Sequence, residues 1–367
     1  MKPLKIGLIA GSLNGEHVRG MGKYLLEMSG CTQPEDQLSW VFFGDNAQQP
    51  MRLPAGVRAQ ADVFEVKGHR FHLWEQVGMP LRQRRHGVDL LHYAENTLAW
   101  WQPTPTVVTV HDTIPWESGE PSFYWDKVLP AALHRCAHVI TISESSRQDI
   151  LKHWPRLESK LTVIPHGIDA AYFGDAPESM PAFVDALQGK PYLLYLGGPM
   201  ARKRFNWALE VLAHTPLPEL QLIAIGFGGA ARGKAAQEVP ESVQGRVHFA
   251  PFVDDHELRA LYRQAQGVLY PTLYEGFGFP AVEAQASGVP VLMSALGSLT
   301  ELIGPLAKVL PPHDLEAWTA AVTSACAMPQ AQREALALQA RAWAQRFAWS
   351  VSYQRHLEIY RQVCAHS

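Results

Sequence analysis

Short runs of apolar residues recur along the chain, separated by longer stretches with helical periodicity. The runs are continuous rather than alternating, which is typical of parallel strands buried on both faces of a sheet. Strands that alternate with helices predict an α/β fold. The predicted strands are residues 5–10, 38–43, 107–111, 139–143 and 161–165, then 192–197, 220–226, 247–250, 267–271, 289–294 and 308–310. The predicted helices are 22–28, 144–152, 207–214, 255–266, 280–287 and 314–325.

The alternation breaks between residues 165 and 190, where turn-forming residues are frequent. A chain of 367 residues has the length of two domains at roughly 100–200 residues each. We therefore predict two doubly wound domains, 1–168 and 169–346. The tail, 347–367, has apolar positions at helical spacing and is predicted to form a terminal helix.

Composition excludes several classes of protein. There are 32 Lys and Arg against 35 Asp and Glu, a net charge of −3, which argues against a strongly basic nucleic-acid binder and against an acidic disordered chain. No apolar run approaches the roughly 18 residues of a membrane-spanning helix, and the apolar start is expected to be a strand rather than a signal peptide. The four cysteines form no Cys-x-x-Cys pair and are expected to be reduced thiols. The histidines are scattered along the chain and there is no Asp-x-Asp motif, so no metal site is expected.

The strongest chemical signal lies in residues 270–293. A predicted strand ends at Pro271, and a glycine turn at 276–278 leads into a helix. Such a turn brings backbone N–H groups close to an anion at a helix start. Glu275 and Glu283 bracket the turn, and a carboxylate accepts two sugar hydroxyls at once. An anion-binding turn beside hydroxyl-binding acids predicts a sugar-nucleotide site.

The run Glu-Gly-Phe-Gly-Phe-Pro-x-x-Glu-Ala-x-Ala-x-Gly-x-Pro-Val resembles the signature of family 4 of the retaining glycosyltransferases, which have the GT-B fold. The bacterial mannosyl- and rhamnosyl-type transferases of surface polysaccharide synthesis are the nearest type. This resemblance implies two Rossmann-like domains facing a central cleft, with the tail helix crossing back to the N-terminal domain. It also implies that the first domain binds the acceptor and the second the nucleotide sugar. Further matching segments, in chain order, are 19–24, 108–112, 140–146, 163–169, 252–262 and 347–350.

A basic segment follows the first strand predicted for the second domain. Arginine can hold two phosphate oxygens, and lysine supplies a compact positive charge. By resemblance, Arg202 and Lys203 bind the donor diphosphate, although a basic triplet by itself is usually a solvated surface. Many relatives have an arginine where this chain has Gly198, so the set of cations is expected to differ.

Three weaker candidates each have a plain structural alternative. The glycine turn at Gly226 follows a strand, but the acid that a dinucleotide fold needs about 20 residues later is missing; by resemblance the turn faces the nucleotide. His111 ends a strand and is a candidate for hydrogen bonding a sugar hydroxyl or for a structural role. Gly20 and Gly22 lie in the first loop, which either folds over the diphosphate or simply leads into a helix.

The candidate set therefore has two parts and includes no metal and no cofactor. The catalytic candidates are Glu275, His111, Lys203 and Arg202. The donor-binding candidates are Glu283, Gly276, Phe277, Gly278, Val282, Gly226, Gly20 and Gly22.

Other segments have mainly structural interpretations. Ser143 and Asp255 are predicted to cap helices. The basic stretch 69–86 is a candidate for contact with an anionic membrane, but a solvated helix face explains it equally simply. Trp100 and Trp101 are candidates for stacking on an acceptor sugar or for filling the core.

The expected function is metal-independent transfer of a hexosyl unit with retained anomeric configuration. By resemblance, the donor is a GDP-mannose or GDP-rhamnose type of sugar nucleotide, with a UDP-sugar next. The expected acceptor is a glycan or lipid-linked glycan in cell-envelope polysaccharide synthesis, and the expected location is the cytoplasm, with peripheral contact at the inner membrane. Three alternatives stay open: a GT-B nucleotide-sugar 2-epimerase, a nicotinamide oxidoreductase and a non-catalytic nucleotide-sugar-binding protein.

Overall fold

A computed structural model describes residues 3–14, 20–66, 70–114, 122–174 and 179–366, and for residues 70–72 it describes the backbone alone. The chain divides into two compact units. The first consists of Met1–Gly167 together with Phe347–Ser367, and the second of Ile168–Arg346. Each unit is an α/β structure built on one parallel sheet, so the predicted fold class is confirmed.

In the described part of the first unit, seven parallel strands have the order β3-β2-β1-β4-β5-β6-β7. The order reverses between β1 and β4, which is the position where doubly wound sheets bind ligands at the strands' carboxyl ends. The strands are β1 Leu4–Ile9, β2 Leu38–Gly44, β3 Ala59–Val63, β4 Leu90–Tyr93, β5 Thr106–Val110, β6 His138–Thr141 and β7 Leu161–Val163. The helices are α1 Met21–Gly30, α2 Met79–Arg82, α3 Leu129–Arg135 and α4 Glu144–His153, and π-helical segments Arg70–Gly78 and Tyr124–Val128 lead into α2 and α3.

In the second unit, the described strands have the order β10-β9-β8-β11-β12-β13, again parallel, with the reversal between β8 and β11. The predicted donor segments follow these two neighbouring strands. The strands are β8 Tyr192–Leu196, β9 Gln221–Ile225, β10 Val247–Phe249, β11 Gly267–Tyr270, β12 Val291–Ser294 and β13 Ala307–Leu310. The helices are α5 Phe205–His214, α6 Gly229–Gln237, α7 Asp255–Gln264, α8 Phe279–Ala286, α9 Leu315–Cys326 and α10 Gln330–Ala344.

Several elements were not expected from the sequence: β3, β4, α3, α6 and α10. Strand β3 has exposed polar positions at the sheet edge, and β4 has only four residues. One predicted cap was wrong, because Asp254 rather than Asp255 caps α7. The Asp254 carboxylate accepts the backbone N–H of Glu257, and the Glu257 carboxylate accepts the backbone N–H of Asp254. The cap at Ser143 is confirmed by its bond from the N–H of Ser146.

The tail forms helix α11, Trp349–Ala365, and packs against α1 in the first unit. Its first residue, Trp349, lies against the backbone of Gly167. A Cβ atom at Gly167 would be 2.5 Å from the Trp349 Cα, so only glycine fits there. Gly167 and Trp349 lie beside the two points where the chain passes between the units. Their contact therefore fixes the return of the tail helix to the first unit.

A directed series of buried hydrogen bonds holds the tail helix to the sheet. His356 Nδ1 lies 2.8 Å from the carbonyl oxygen of Ser352. A carbonyl only accepts, so Nδ1 carries the ring proton and Nε2 is the acceptor. The Tyr24 hydroxyl of α1, 2.7 Å from Nε2, therefore donates to it.

The series continues into β4 and β5. The Thr109 hydroxyl lies 3.2 Å from the Tyr24 hydroxyl and 2.7 Å from His92 Nε2, and His92 Nδ1 lies 2.7 Å from the hydroxyl of Tyr360 in α11. Burial lowers the pKa of His356 to about 4 and that of His92 well below its usual value. Both imidazoles are therefore neutral, as the directed bonds require.

We expect acid to weaken the first unit through these histidines. In the unfolded chain His356 titrates near pH 6.5, whereas in the folded unit its pKa is about 4. Its contribution is present above the unfolded pKa and is lost as pH falls from about 6.5 towards 4, by about 2 kcal/mol between pH 7 and pH 5. Urea unfolding at both pH values measures this.

The variant His356→Gln is expected to flatten the pH dependence, because glutamine does not titrate. His366→Gln, an exposed position in the same tail, serves as the matched control and should keep the wild-type dependence. Equal pH dependence in wild type and His356→Gln would contradict this prediction.

Candidate functional site

The loops after β8 and β11 meet at the centre of the second sheet. The backbone N–H of Leu273 donates to the carbonyl of Arg202 at 2.8 Å, which joins the two loops directly. The Tyr195 hydroxyl, in β8, lies 3.1 Å from the carbonyl of Gly198 and 3.2 Å from that of Lys203. The basic segment and the acidic segment are thus held in register by bonds that involve no charged side chain.

Glu275 lies between the two predicted cations. Its Oε1 accepts from Lys203 Nζ, and its Oε2 lies 3.1 Å from Arg202 Nη1. Arg202 also donates to the carbonyl of Tyr274 at 2.7 Å. Glu275 is 9% exposed, so this is a largely buried cluster of two cations and one anion. Burial lowers the pKa of Lys203, and the charge of Glu275 opposes that shift.

The side chain of Ser298 holds the glycine turn at 276–278. Ser298 Oγ donates to the carbonyl of Glu275 at 2.6 Å and lies 3.0 Å from that of Phe277. Gly278 has φ of 108°, and a Cβ there would lie 2.7 Å from a methyl carbon of Leu299. The turn therefore needs glycine at 278 for its backbone and for space, and Gly276 and Phe277 belong to a rigid element.

Helix α8 places Glu283 against a tyrosine of α7. The Tyr262 hydroxyl donates to Glu283 Oε2 at 2.9 Å. Burial raises the pKa of Tyr262, and the charge of Glu283 adds to that, so the hydroxyl keeps its proton. Val282 is fully buried within α8. The first turn offers few donors, because Pro280 has no N–H and that of Ala281 bonds to the carbonyl of Gly278.

The two remaining glycine turns of the second unit pack backbone against backbone. Gly198 has φ of 59°, and a Cβ there would lie 2.7 Å from the Gly226 carbonyl oxygen. A Cβ at Gly226, which has φ of 97°, would lie 3.1 Å from the Gly198 nitrogen. An arginine does not fit at position 198.

In the first unit both ring nitrogens of His111 are engaged. Nε2 lies 2.8 Å from the Ala94 carbonyl and so carries the proton, which makes Nδ1 the acceptor for His166 Nε2 at 3.1 Å. Burial lowers the pKa of both histidines. Gly20 precedes α1 with φ of 55°, and Gly22 lies in its first turn, while residues 15–19 of the predicted loop lie outside the described residues.

The basic stretch 69–86, the candidate for membrane contact, is only partly described, and two of its basic residues bond to an acid of the same unit. Residues 67–69 and the side chains of 70–72 lie outside the described part. Arg82 donates two 2.7 Å bonds to the Asp62 carboxylate, and His86 Nε2 lies 2.6 Å from the same group. Trp100 and Trp101 are exposed and do not fill the core. Within the described residues, no helix is long and apolar enough to cross a membrane.

Sequence reasoning did not identify the hydroxyl groups around the charged side chains. Those of Tyr195 and Ser298 bond to carbonyls of the loops, and that of Tyr262 donates to Glu283. Tyr270 is another, because its hydroxyl lies 3.5 Å from Lys203 Nζ. A usable signal exists only for Tyr195 and Tyr270, which lie on the two strands at the reversal of the sheet order.

Comparison with known proteins adds the family. Residues 180–343 match the family described as Glycosyl transferases group 1, and residues 18–172 match Glycosyltransferase Family 4. O-antigen chain mannosyltransferase B of Escherichia coli is 27% identical over 65% of this chain and 64% of its own length. The MMP alpha-(1->4)-mannosyltransferase of Mycolicibacterium hassiacum is 29% identical over 62% of this chain and 54% of its own. The chain thus spans less than two thirds of these curated relatives.

Two solved structures share the fold over almost all of both chains. Sucrose-phosphate synthase from Thermosynechococcus elongatus has a TM-score of 0.77 and 22% identity, covering 99% of this chain and 100% of that one. Anabaena HepE, solved with UDP and glucose, has a TM-score of 0.74 and 20% identity, covering 97% and 98%. The two parallel-sheet units thus have the GT-B fold of glycosyltransferases. With the family matches over both units, the chain belongs to glycosyltransferase family 4.

We expect Gly198→Arg to destabilise the second unit rather than to add a useful cation. The substitution meets the Gly226 carbonyl and takes a left-handed conformation, which together should cost at least about 2 kcal/mol. Urea unfolding measures it. Gly233→Ala, in the open middle of α6, is the control and should be neutral or stabilising by up to about 1 kcal/mol. A Gly198→Arg protein of wild-type stability would disprove the steric account.

Proposed function

We propose that this protein transfers a hexosyl unit, with retention of anomeric configuration, from a nucleotide-diphosphate sugar to a glycan or lipid-linked glycan in cell-envelope polysaccharide synthesis. The observation that carries the proposal is the buried cluster of Arg202, Lys203 and Glu275 at the reversal of the second sheet. The names of the mannosyltransferase relatives favour a GDP-mannose or GDP-rhamnose type of donor. HepE, solved with UDP and glucose, supports a UDP-sugar as the next choice.

The chemical demand is the negative charge that grows on the departing nucleoside diphosphate. With all three groups ionised, the cluster carries a net charge of +1, and its cations are already fixed in place. Preorganised donors of this kind are each worth roughly 10²–10³ in rate. We propose that Arg202 and Lys203 supply this stabilisation without a divalent metal.

Glu275 holds the cations in position until the donor arrives. Donor phosphate oxygens compete with both oxygens of its carboxylate for Lys203 and Arg202. As the diphosphate takes over these bonds from the cations, the carboxylate becomes available to hydroxyls of the transferred sugar and to positive charge developing at its anomeric carbon. We therefore assign Glu275 to sugar binding and transition-state electrostatics.

We propose the other donor contacts on the strength of the family resemblance. Glu283, oriented by Tyr262, is assigned to the ribose hydroxyls. The rigid turn with Gly276, Phe277 and Gly278 is assigned to the phosphates. The remaining donor-binding candidates, in α8, the Gly226 turn and the first loop, are assigned to the walls around the nucleotide: Val282, Gly226, Gly20 and Gly22.

His111 is assigned to the donor sugar with one condition. Both of its ring nitrogens are bonded within the first unit, so a bond to a sugar hydroxyl requires one of them to open. The contact with His166, at 3.1 Å, is the longer of the two. We propose that the first unit binds the acceptor and that the second binds the donor.

In the proposed reaction the acceptor oxygen bonds to the anomeric carbon while the bond from that carbon to the phosphate oxygen breaks. The acceptor hydroxyl proton passes to the leaving phosphate. Attack therefore comes from the leaving-group face, and the configuration is retained. We place the reaction in the cytoplasm, at the inner face of the membrane where lipid-linked glycans are extended.

Lys203→Ala should lower kcat/KM at least about tenfold, because a fixed cation is lost from the leaving group. Lys190→Ala is the matched control: this lysine lies in the same unit and pairs with Glu219 at 3.0 Å on the surface, and its loss should leave kcat/KM unchanged. Steady-state kinetics on both variants, with unfolding midpoints recorded, makes the comparison. A wild-type rate for Lys203→Ala would remove it from the site.

The function as a whole is tested first by ligand-induced thermal stabilisation. GDP, UDP, ADP and TDP are compared at equal concentration, and a selective rise in Tm identifies the nucleotide. GDP is expected to give the largest rise. No rise with any of the four would contradict a nucleotide-sugar site.

Turnover then tests the chemistry with the matching sugar nucleotide and a mannose-containing acceptor, with the product anomer identified by NMR. Activity should persist in EDTA, and loss restored by Mg²⁺ would refute the metal-free mechanism. Conversion of donor to its epimer without acceptor would replace the transferase by the epimerase alternative.

A further inference from the structure

Two buried histidines of the first unit face each other through their ring nitrogens. His111 Nδ1 lies 3.1 Å from His166 Nε2, and the two ring centres are 5.1 Å apart. Because His111 Nε2 donates its proton to the Ala94 carbonyl at 2.8 Å, Nδ1 presents a lone pair and His166 Nε2–H is the donor to it. We call these two residues the histidine pair. They are 6% and 5% exposed, so their contact is nearly closed to water.

His111 is held in position by bonds that do not involve His166. Its backbone N–H donates to Asn96 Oδ1 at 2.6 Å, and its carbonyl accepts from Ser146 Oγ at 3.1 Å. The carbonyl of Ala94, directly after β4, holds the second ring nitrogen. His111 therefore keeps its place and its tautomer when the contact with His166 is broken, and Nδ1 then accepts from another donor.

His166 lies where the chain leaves the first unit, and the backbone on either side of it is fixed. The N–H of Ile164 donates to a carbonyl of β6 at 2.7 Å, and Gly167 packs against Trp349 without space for a Cβ. The rings of Tyr24 and Trp349 flank the imidazole, with centres 4.8 Å and 5.8 Å from its own. Separation of the histidine pair is therefore a rotation of the His166 ring and not a movement of the chain.

The histidine pair has the chemistry to receive a hydroxyl group. Burial lowers the pKa of both histidines, so both rings are neutral. A neutral imidazole has one acceptor nitrogen, and that of His111 is already bonded to His166. A hydroxyl that donates to His111 Nδ1 must therefore displace the His166 N–H.

We propose that His166 is a positioning residue: its N–H occupies the Nδ1 lone pair of His111 until a sugar hydroxyl takes its place. The exchange aligns the hydroxyl on a nitrogen that is already fixed, and no proton is transferred. The proposal rests on the proposed function for the identity of the ligand, which we expect to be the transferred sugar. A hydroxyl of the acceptor has the same chemistry, and the experiments below separate the two sources.

The exchange gives His166 an effect on binding that is opposite to that of a supporting residue. The sugar hydroxyl gains its bond only by breaking the bond from His166. The net contribution of one such bond corresponds to about a two- to tenfold change in an equilibrium constant. Loss of the His166 N–H should therefore tighten sugar binding, whereas loss of a purely structural residue would weaken binding or leave it unchanged.

Two variants test this sign. His166→Leu removes the N–H, and His166→Gln keeps an N–H of similar reach. Calorimetry measures Kd for GDP-mannose and for GDP, or for UDP-glucose and UDP if thermal stabilisation selects UDP. Relative to the diphosphate, His166→Leu should bind the sugar nucleotide about two- to tenfold more tightly than wild type. His166→Gln should have the wild-type ratio of the two Kd values, and equal tightening in both variants would overturn the proposal.

His138→Leu is the matched control. It also removes a histidine of the first unit, one whose Nε2 lies 2.9 Å from Thr162 Oγ1 in the sheet, and it should leave the ratio of Kd values unchanged. The KM for the acceptor is measured with the same proteins. Tightening of the acceptor alone in His166→Leu would assign the exchanged hydroxyl to the acceptor. Unchanged or weaker binding of both ligands by His166→Leu would overturn the proposal.

NMR of the histidine ring nitrogens in the wild-type protein tests the exchange without depending on how well a variant folds. The sugar nucleotide should shift the signals of His166 Nε2–H and His111 Nδ1 and leave that of His111 Nε2–H in place, and the diphosphate alone should shift none of them. Binding of the sugar nucleotide without a change at His166 would overturn this proposal and leave the proposed function standing. A wild-type protein that binds no nucleotide would overturn both.

Discussion

The pairing of Glu275 with Lys203 and Arg202 is the interaction on which the loops after β8 and β11 depend. A carboxylate that is 9% exposed would lose much of its hydration without compensation, and the half-buried cations would lose part of theirs. The three groups come from the loops after two adjacent strands, so their pairing also fixes the distance between those loops. Removing one partner therefore changes both the charge and the shape of the site.

The neutral scaffold around this pairing is as important as the charges. The Tyr195 hydroxyl, Ser298 and the Leu273 N–H bind backbone carbonyls of the two loops. Because these bonds are between uncharged groups, they do not depend on the cations staying paired with Glu275, as the proposed mechanism requires. In the proposed mechanism the cations thus exchange the Glu275 carboxylate for a donor phosphate while the loops stay in place.

Much of the fold could be predicted from the sequence because parallel strands buried on both faces leave continuous apolar runs. Strand β4 was not predicted because it is only four residues long and contains the polar residue His92. The burial of His92 depends on a partner in α11 that sequence spacing does not reveal. Helix α6 was not predicted because its glycines weaken the helical pattern. The fold class follows from periodicity, whereas these elements follow from tertiary contacts.

The candidate site likewise has some features that local sequence predicts and others that only tertiary contacts determine. Glu275, Lys203 and Arg202 were predicted from motif and charge, and the structure brings them into direct contact. The roles of Gly198 and Gly226 could not be predicted, because the close approach of their backbones joins turns 28 positions apart by their numbers. The two bonds of His111 likewise involve Ala94 and His166, which no local pattern connects.

The close packing of Trp349 on Gly167 has a topological consequence. The chain leaves the first unit after Gly167 and re-enters it at Phe347, so the second unit is an uninterrupted insertion into the first, and its points of insertion are neighbours on the host. A short flexible linker from 167 to 347 would join the first unit into one continuous polypeptide. Residues 168–346 would then be the second unit as a separate chain. Under the proposed assignment of acceptor binding to the first unit and donor binding to the second, exchange of second units between related enzymes at these two junctions would recombine the two preferences with only two peptide joins.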